Sequence, residues 1–278
     1  MTSYPHQRAG CPARLAVLDI ETLAPPAPDG SFPPWPTHEP IVASILTATL
    51  ERYGQWRFEL ESVSFLDDGA AAIERTSHLI EGRKLVTYNG RGFDCPVLAL
   101  AAMKHQHFDL AGISQAWQSH RFTGGHYDLA DIVSGFGGAR GASLERLCTE
   151  LGIPVKIDTH GSDVAELMAK RQFQDIQDYC EQDVASTLCL FAMVEGLRST
   201  NPHYAGALVS QFGRWVADRQ LAHLQPFERV DGHREFDRLS LQGIVDQGIA
   251  SLEHRQHMAF VTNLPGQSGL TVRSASDF

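Results

Sequence analysis

Residues 15–22, LAVLDIET, constrain the fold more than any other stretch of the chain. They are apolar at both parities until Asp19, the pattern of a central strand buried on both faces. Where the run ends, Asp19 and Glu21 stand two residues apart, so on a strand they point to the same face. Two anions are thereby held together at a sheet edge. A D-x-E pair alone arises about once by chance in a chain of this length, and a solvated strand end is the plainer account of it.

The next stretch, Leu23 to Pro40, carries seven prolines and is excluded from helix and central strand. It reads as a long surface loop, and its Phe32 and Trp35 are candidates to stack on unpaired bases or, more plainly, to pack on the surface. IVASILTATL (41–50) and WRFELESVSF (56–65) are β-branched and aromatic-rich with a YGQ turn between them, so three strands form an antiparallel meander. A helix capped near Asp67 follows, then a buried strand over KLVTYNG (84–90), then a helix with Pro96 in its first turn. HYDLADIVSGFG, SLERLCTELGI and VAELMAKR read as a short strand or turn and helices, with GFGGARG as a flexible connector. FQDIQDYCEQDVASTLCLFAMVEGL is the longest helix, ending near Leu197. Beyond it, VSQFGRWVADRQLAHL predicts one more helix and GQSGLTVRSASDF a frayed tail.

The bulk composition excludes several classes. At 43% hydrophobic and 20% charged, the chain of 278 residues is an ordinary globular one, neither disordered nor a disulfide miniature. Five cysteines without CxxC spacing predict reduced thiols and no zinc site. No run of 18 apolar residues spans a bilayer and the first residues carry no apolar leader, so the expectation is a cytoplasmic protein with no membrane partner. A net charge of −10 argues against tight non-specific grip on duplex DNA, which relies on basic surfaces and counterion release. It leaves room for an enzyme that holds a strand end through divalent ions.

Two further carboxylates stand out. Asp94 follows a buried strand and precedes Cys95-Pro96, where a helix N-cap belongs. Capping explains it by itself, yet the same junction would bring it to Asp19 and Glu21 if the two strands are parallel. Tyr179 and Asp183 are four apart on the long helix and share a face with Ile176, Thr187 and Leu190. A carboxylate in an apolar stripe must be paired or metal-bound. The alternative is a core stripe centred on Cys180, Val184 and Phe191, with Asp183 at its margin.

Taken together, DIET, YNGRGFD and YCEQD resemble, in order and in context, the three exonuclease motifs of the DEDD superfamily. HYDLADIVSGFG and SLERLCTELGIP extend the resemblance toward the proofreading domains of family B DNA polymerases, and to predicted exonucleases related to them. Y-x-x-x-D marks the tyrosine branch; the histidine branch would place histidine where Asp178 stands. The resemblance implies an α/β, RNase H-like domain over 14–197, with a mixed five-stranded sheet (antiparallel meander plus parallel strands) flanked by helices. Residues 198–278 are then a mainly helical extension.

It also implies a metal-dependent 3′→5′ exonuclease releasing nucleoside 5′-monophosphates from a single-stranded 3′ end, DNA favoured. Asp19, Glu21, Asp94 and Asp183 would hold two Mg²⁺ or Mn²⁺ ions, with Asp19 bridging them, and Tyr179 would orient the attacking water. Thr22, Asn89 and Phe93 would place the terminal nucleotide. With no polymerase region in the chain, a proofreading role would need a polymerase or repair partner. An exoribonuclease and an inactive nucleic-acid or partner-binding module of the same fold remain the alternatives.

Overall fold

The computed structural model describes residues 11–29, 31–121, 124–139, 141–155, 164–230 and 232–262. Strands β1 (Arg14–Leu23), β2 (Glu39–Leu50) and β3 (Trp56–Ser64) lead to helix α1 (Gly69–Ile80), then β4 (Lys84–Thr87), α2 (Asp94–Lys104), α3 (Ala111–Gln118) and β5 (His126–Asp128). Helices α4 (Leu129–Val133), α5 (Leu144–Glu150), α6 (Val164–Ala169), α7 (Phe173–Arg198), α8 (Pro202–Arg219) and α9 (His233–Thr262) follow, with a 3₁₀ segment, Ala222–Arg229, between the last two. The tail expected to fray lies outside the described residues, as does Arg140 of the connector.

The sheet runs β3-β2-β1-β4-β5, with β1, β2 and β3 antiparallel and β4 and β5 parallel to β1. This is the mixed, RNase H-like sheet the sequence leads one to expect. β1 is its centre, and the apolar run at both parities has the predicted cause. Leu15 and Val17 enter one core with α7 and α8, while Ala16, Leu18 and Ile20 enter a second with α1, α2 and α3. Each buried large aliphatic side chain contributes about 1.5–3 kcal/mol.

Local chemistry sets the element ends. Asp68 caps α1, accepting from the Ala71 amide at 3.0 Å. Ser143 caps α5 and Asn201 caps α8, each accepting an amide at 3.2 Å. β4 stops at Thr87, three residues short of the expected end, because Asn89 takes φ 64°, which no strand tolerates. The proline-rich loop contains one short 3₁₀ turn, Trp35–Thr37, before joining β2.

Beyond Leu197 the described residues are mainly helical, as expected, with two long helices where the pattern had marked one. α8 is flanked by the 3₁₀ segment and by α9, and the hydrophobic core runs across the expected boundary at residue 197. Tyr204, Leu208, Phe212 and Val216 of α8 are buried in one cluster with Leu15, Val17 and Phe58. The Tyr204 hydroxyl donates to Pro12 O at 2.9 Å, and Gln211 accepts from the Trp56 amide at 2.7 Å while donating to Gly54 O at 2.9 Å. Among the described residues no helix is long and apolar enough to cross a membrane.

Candidate active site

Three parallel strands end at one edge of the sheet, and the chemistry-bearing residues collect there. On β1 the side chains of Asp19 and Glu21 continue the parity of Leu15 and Val17, so they face the layer that holds α7. Asp19 pairs across the ladder with Ser44, and the register slips between Glu21 and Thr22. Such a bulge re-aims the side chains next to it.

Helix α7 meets this face with its Tyr179–Asp183 turn. The Cys180 thiol lies 3.5 Å from Asp19 Oδ2 and 3.4 Å from Asp19 O. Ligand atoms of Asp19, Glu21 and Cys180 lie within 4.8 Å of one another. Burial and the charges of Glu21, Asp183 and Asp19 all push the Tyr179 hydroxyl above the ordinary phenol range, so it stays protonated. Both stripes considered for this helix are buried, Ile176, Thr187 and Leu190 as well as Cys180, Val184 and Phe191. The helix is covered nearly all round, which leaves Asp183 half-buried rather than at a solvated margin.

Asp94 arrives from the opposite layer. It is not the cap of α2 but the first residue within it; Phe93 occupies the cap position and its side chain caps nothing. The buried Asp94 carboxyl is raised well above the usual range, first by desolvation and further by the charges of Asp128 and Asp183. Hydrogen bonds to its own amide and to that of Ile20 partly oppose this, and the second ties it to β1. Asp19 and Glu21 thus have ligand atoms within 4.8 Å of one another and of Cys180, while Asp183 feels both Asp94 and Tyr179 through its charge.

The residues expected at the terminal nucleotide lie around the same edge. The Thr22 hydroxyl donates to His38 Nδ1 at 2.7 Å, and His38 Nε2 donates to Pro33 O at 3.1 Å, so this hydroxyl is engaged in holding the proline-rich loop. Asn89 is exposed at its left-handed position. Phe93 packs edge-on to His38, ring centroids 4.9 Å apart, and His38 stacks on Phe32 at 4.9 Å. Phe32 is 73% exposed and Trp35 is exposed too, so the loop presents aromatic faces to solvent beside the acids.

A sequence model of predicted 3′-5′ exonucleases related to the exonuclease domain of PolB matches residues 30–229. The chain belongs to this family. Asn89, Phe93, Asp94, Tyr179 and Asp183 fall in the matched segment, while Asp19, Glu21 and Thr22 on β1 precede it. A comparison with curated proteins finds no match. Among solved structures, the chain is similar to the family B DNA polymerase from the hyperthermophilic archaeon Pyrobaculum calidifontis, at 20% identity and a TM-score of 0.45. That similarity covers 75% of this chain and 29% of the polymerase.

The donor set of this member of the predicted PolB-related exonucleases fits hard divalent cations. Oxygen ligands suit Mg²⁺ or Mn²⁺. Cys180 does not belong to the set: burial and the charges of Asp19 and Glu21 raise its thiol well above the ordinary range, and as a thiol it donates to Asp19.

Two site elements escape the sequence. Asp128, buried at the end of β5, accepts from the amides of Asn89 and Arg91 at 2.9 Å each and caps α4 through Ala130 at 3.1 Å. It fixes the YNGRG loop, and Arg91 reinforces it through His126 O and Asp131. The signal was present, an aspartate just before LADIV, but a three-residue strand carries almost no periodicity. The second element is Glu181, between Tyr179 and Asp183. It accepts from Ser62 Oγ at 2.7 Å, Gln177 Nε2 at 2.8 Å and His223 Nε2 at 2.7 Å, and Ser62 in turn meets Ser44 at 2.8 Å.

Proposed function

We propose that this chain is a metal-dependent 3′→5′ exonuclease of the tyrosine branch of the DEDD superfamily, releasing nucleoside 5′-monophosphates from single-stranded nucleic acid, DNA favoured. The observation that carries the proposal is the meeting of Asp19 and Glu21, on one face of β1, with Tyr179 and the Cys180 turn of α7. Residues about 160 apart in sequence come together there as oxygen donors beside a protonated phenol. No apolar core calls for that arrangement, because gathered carboxylates repel.

Asp19, Glu21, Asp94 and Asp183 would hold two divalent cations, Mg²⁺ or Mn²⁺. When bound, these supply an acidified water and neutralise charge on the leaving 3′ oxygen. Tyr179 holds its proton and orients the attacking water by a hydrogen bond. Asp128 and Arg91 keep the Asn89 loop rigid, so that Asn89 and Phe93 meet the terminal nucleotide in a fixed geometry. The rings of Phe93 and Phe32 offer apolar faces to unpaired bases, which duplex DNA does not present.

The deciding measurement is mononucleotide release from 3′- and 5′-labelled single-stranded DNA and RNA, with Mg²⁺, Mn²⁺ or EDTA. The expected result is metal-dependent release from the 3′ end, reduced at least roughly a hundredfold by Asp19→Ala or Asp183→Ala, on the scale of losing one electrostatic stabiliser. Metal-dependent release confined to RNA would move the substrate to RNA. No release at all would leave a binding module of this fold.

A further inference from the structure

A second site, distinct from the carboxylate edge, lies where α8, the 3₁₀ segment and α9 meet. A half-open cavity of about 630 Å³ is lined there by Arg214, Arg229 and Arg234, with His233 beside them. The chain carries a net charge of −10, yet three guanidinium groups from three different elements surround one space. Among the described residues none of the three makes an ion pair or hydrogen bond. Two acids share the lining, Glu228 and Asp237, and Asp237 is taken by the Ser210 hydroxyl, which donates to it at 2.5 Å. Helix α9 begins at His233, so the positive end of its dipole adds to the field at the cavity, while the His233, Glu235 and Phe236 amides are held by Val230 O and Gly232 O. Guanidinium groups are charged at every working pH and match phosphate with two parallel hydrogen bonds.

We propose that this cavity is a phosphate-binding site that takes a backbone phosphate of the substrate strand away from its 3′ end. The proposal rests on the exonuclease reading for its ligand, while the arginines define the chemistry by themselves. The 3₁₀ segment connects the two sites. Its His223 touches Glu181 on α7 at 2.7 Å, and Arg229 lies six residues on, roughly 12 Å at the rise of a 3₁₀ helix. A strand held at its end by the acids has a cationic station within reach of its next few phosphates. The site would thereby offset the repulsion between an acidic protein and a polyanion.

The test compares the full chain with Arg214→Ala/Arg229→Ala/Arg234→Ala. All three positions are exposed, and the single reversal Arg229→Glu serves as a second variant should the triple one lose stability. Binding of a labelled single strand about twenty nucleotides long is measured by anisotropy in EDTA over a range of salt. The triple variant is expected to bind about tenfold more weakly, and its slope of log affinity against log salt should fall by roughly two, as for three phosphate contacts to a single strand. Mononucleotide release from a trinucleotide, too short to reach the cavity, should be unchanged.

If strand affinity is unchanged but the variant loses thermal stabilisation by inorganic phosphate or a nucleoside monophosphate, the phosphate site stands with the free anion as its occupant. Unchanged strand affinity together with unchanged stabilisation by the free anions overturns it. A wild type that releases nothing from either the trinucleotide or the twenty-nucleotide strand with Mg²⁺ or Mn²⁺ sinks the exonuclease reading instead, and the binding arms still decide the cavity.

Discussion

Glu181 and Asp94 are buried to almost the same depth, 6% and 5% exposed, yet their surroundings push them in opposite directions. For Glu181, burial raises the carboxyl, but hydrogen bonds from His223, Ser62 and Gln177 outweigh it and leave the group below its ordinary range. For Asp94, burial also acts first, and the nearest charges are further carboxylates, so the group ends well above its range. Depth alone therefore does not identify a metal ligand. A buried acid supplied with donors is part of the scaffold, whereas one among like charges holds a proton more readily and is a candidate to meet a cation.

The largest expected effect that sharpens this contrast is on stability. Glu181→Ala strands the Ser62 and Gln177 donors and the His223 ring, and should cost about 3 kcal/mol, the lower range for breaking a buried pair from one side. Urea unfolding in EDTA measures it. A loss below about 1 kcal/mol would remove the distinction between the two acids.

Asp94→Asn should move the other way, since it removes a charge from a repelling group. In EDTA the variant is expected to gain on the order of 1 kcal/mol, or about 2–4 °C in Tm. The rise in Tm that Mg²⁺ or Mn²⁺ gives the wild type should shrink in this variant, because that rise reports binding to the folded state. A destabilised Asp94→Asn in EDTA would break the comparison.

The smallest effect is a pH dependence. His223 is raised from 6.5 by its hydrogen bond to Glu181 and by the charges of Asp178 and Glu181, which together overcome its burial. A raised histidine contributes stability that is full below about 6.5 and is lost as pH rises through the folded value. Glu181, lowered from 4.5, contributes stability that is present above that value and is lost as pH falls through its folded one. The pair is therefore strongest between them, in mildly acidic solution. His223→Gln should flatten the decline of the urea midpoint from mildly acidic to mildly basic pH; an unchanged slope would show that the imidazole does not feel these carboxylates.

Much of the scaffold was legible because its signals are local. The parity of Leu15 to Ile20 announced a two-faced central strand, the prolines from Leu23 to Pro40 announced a loop, and the 3.6-residue period placed Tyr179 and Asp183 on one turn of α7. Asp94 was placed at the right junction but given the wrong local part, since capping was the sequence-level explanation and the structure puts it one residue inside the helix. The weight of α8 was missed for a different reason. Its anchors, Gln211 to Trp56 and Tyr204 to Pro12, span more than 150 residues, and no window of sequence contains both partners.

The sequence by itself determined that Asp19 and Glu21 share a face at the end of a buried strand, because alternation along a strand is a property of the backbone. Only the tertiary structure decided what that face meets. Parallel pairing of β1, β4 and β5 brought three strand ends to one edge, and packing of α7 over the Leu15–Val17 face delivered Tyr179 and Asp183 to it. The same packing gave Glu181 its donors and gathered the arginines of α8, the 3₁₀ segment and α9 round a separate cavity. Side-chain direction is written locally in φ and ψ, whereas the company a charge keeps depends on contacts between distant residues, and here that company separates a structural acid from a candidate ligand.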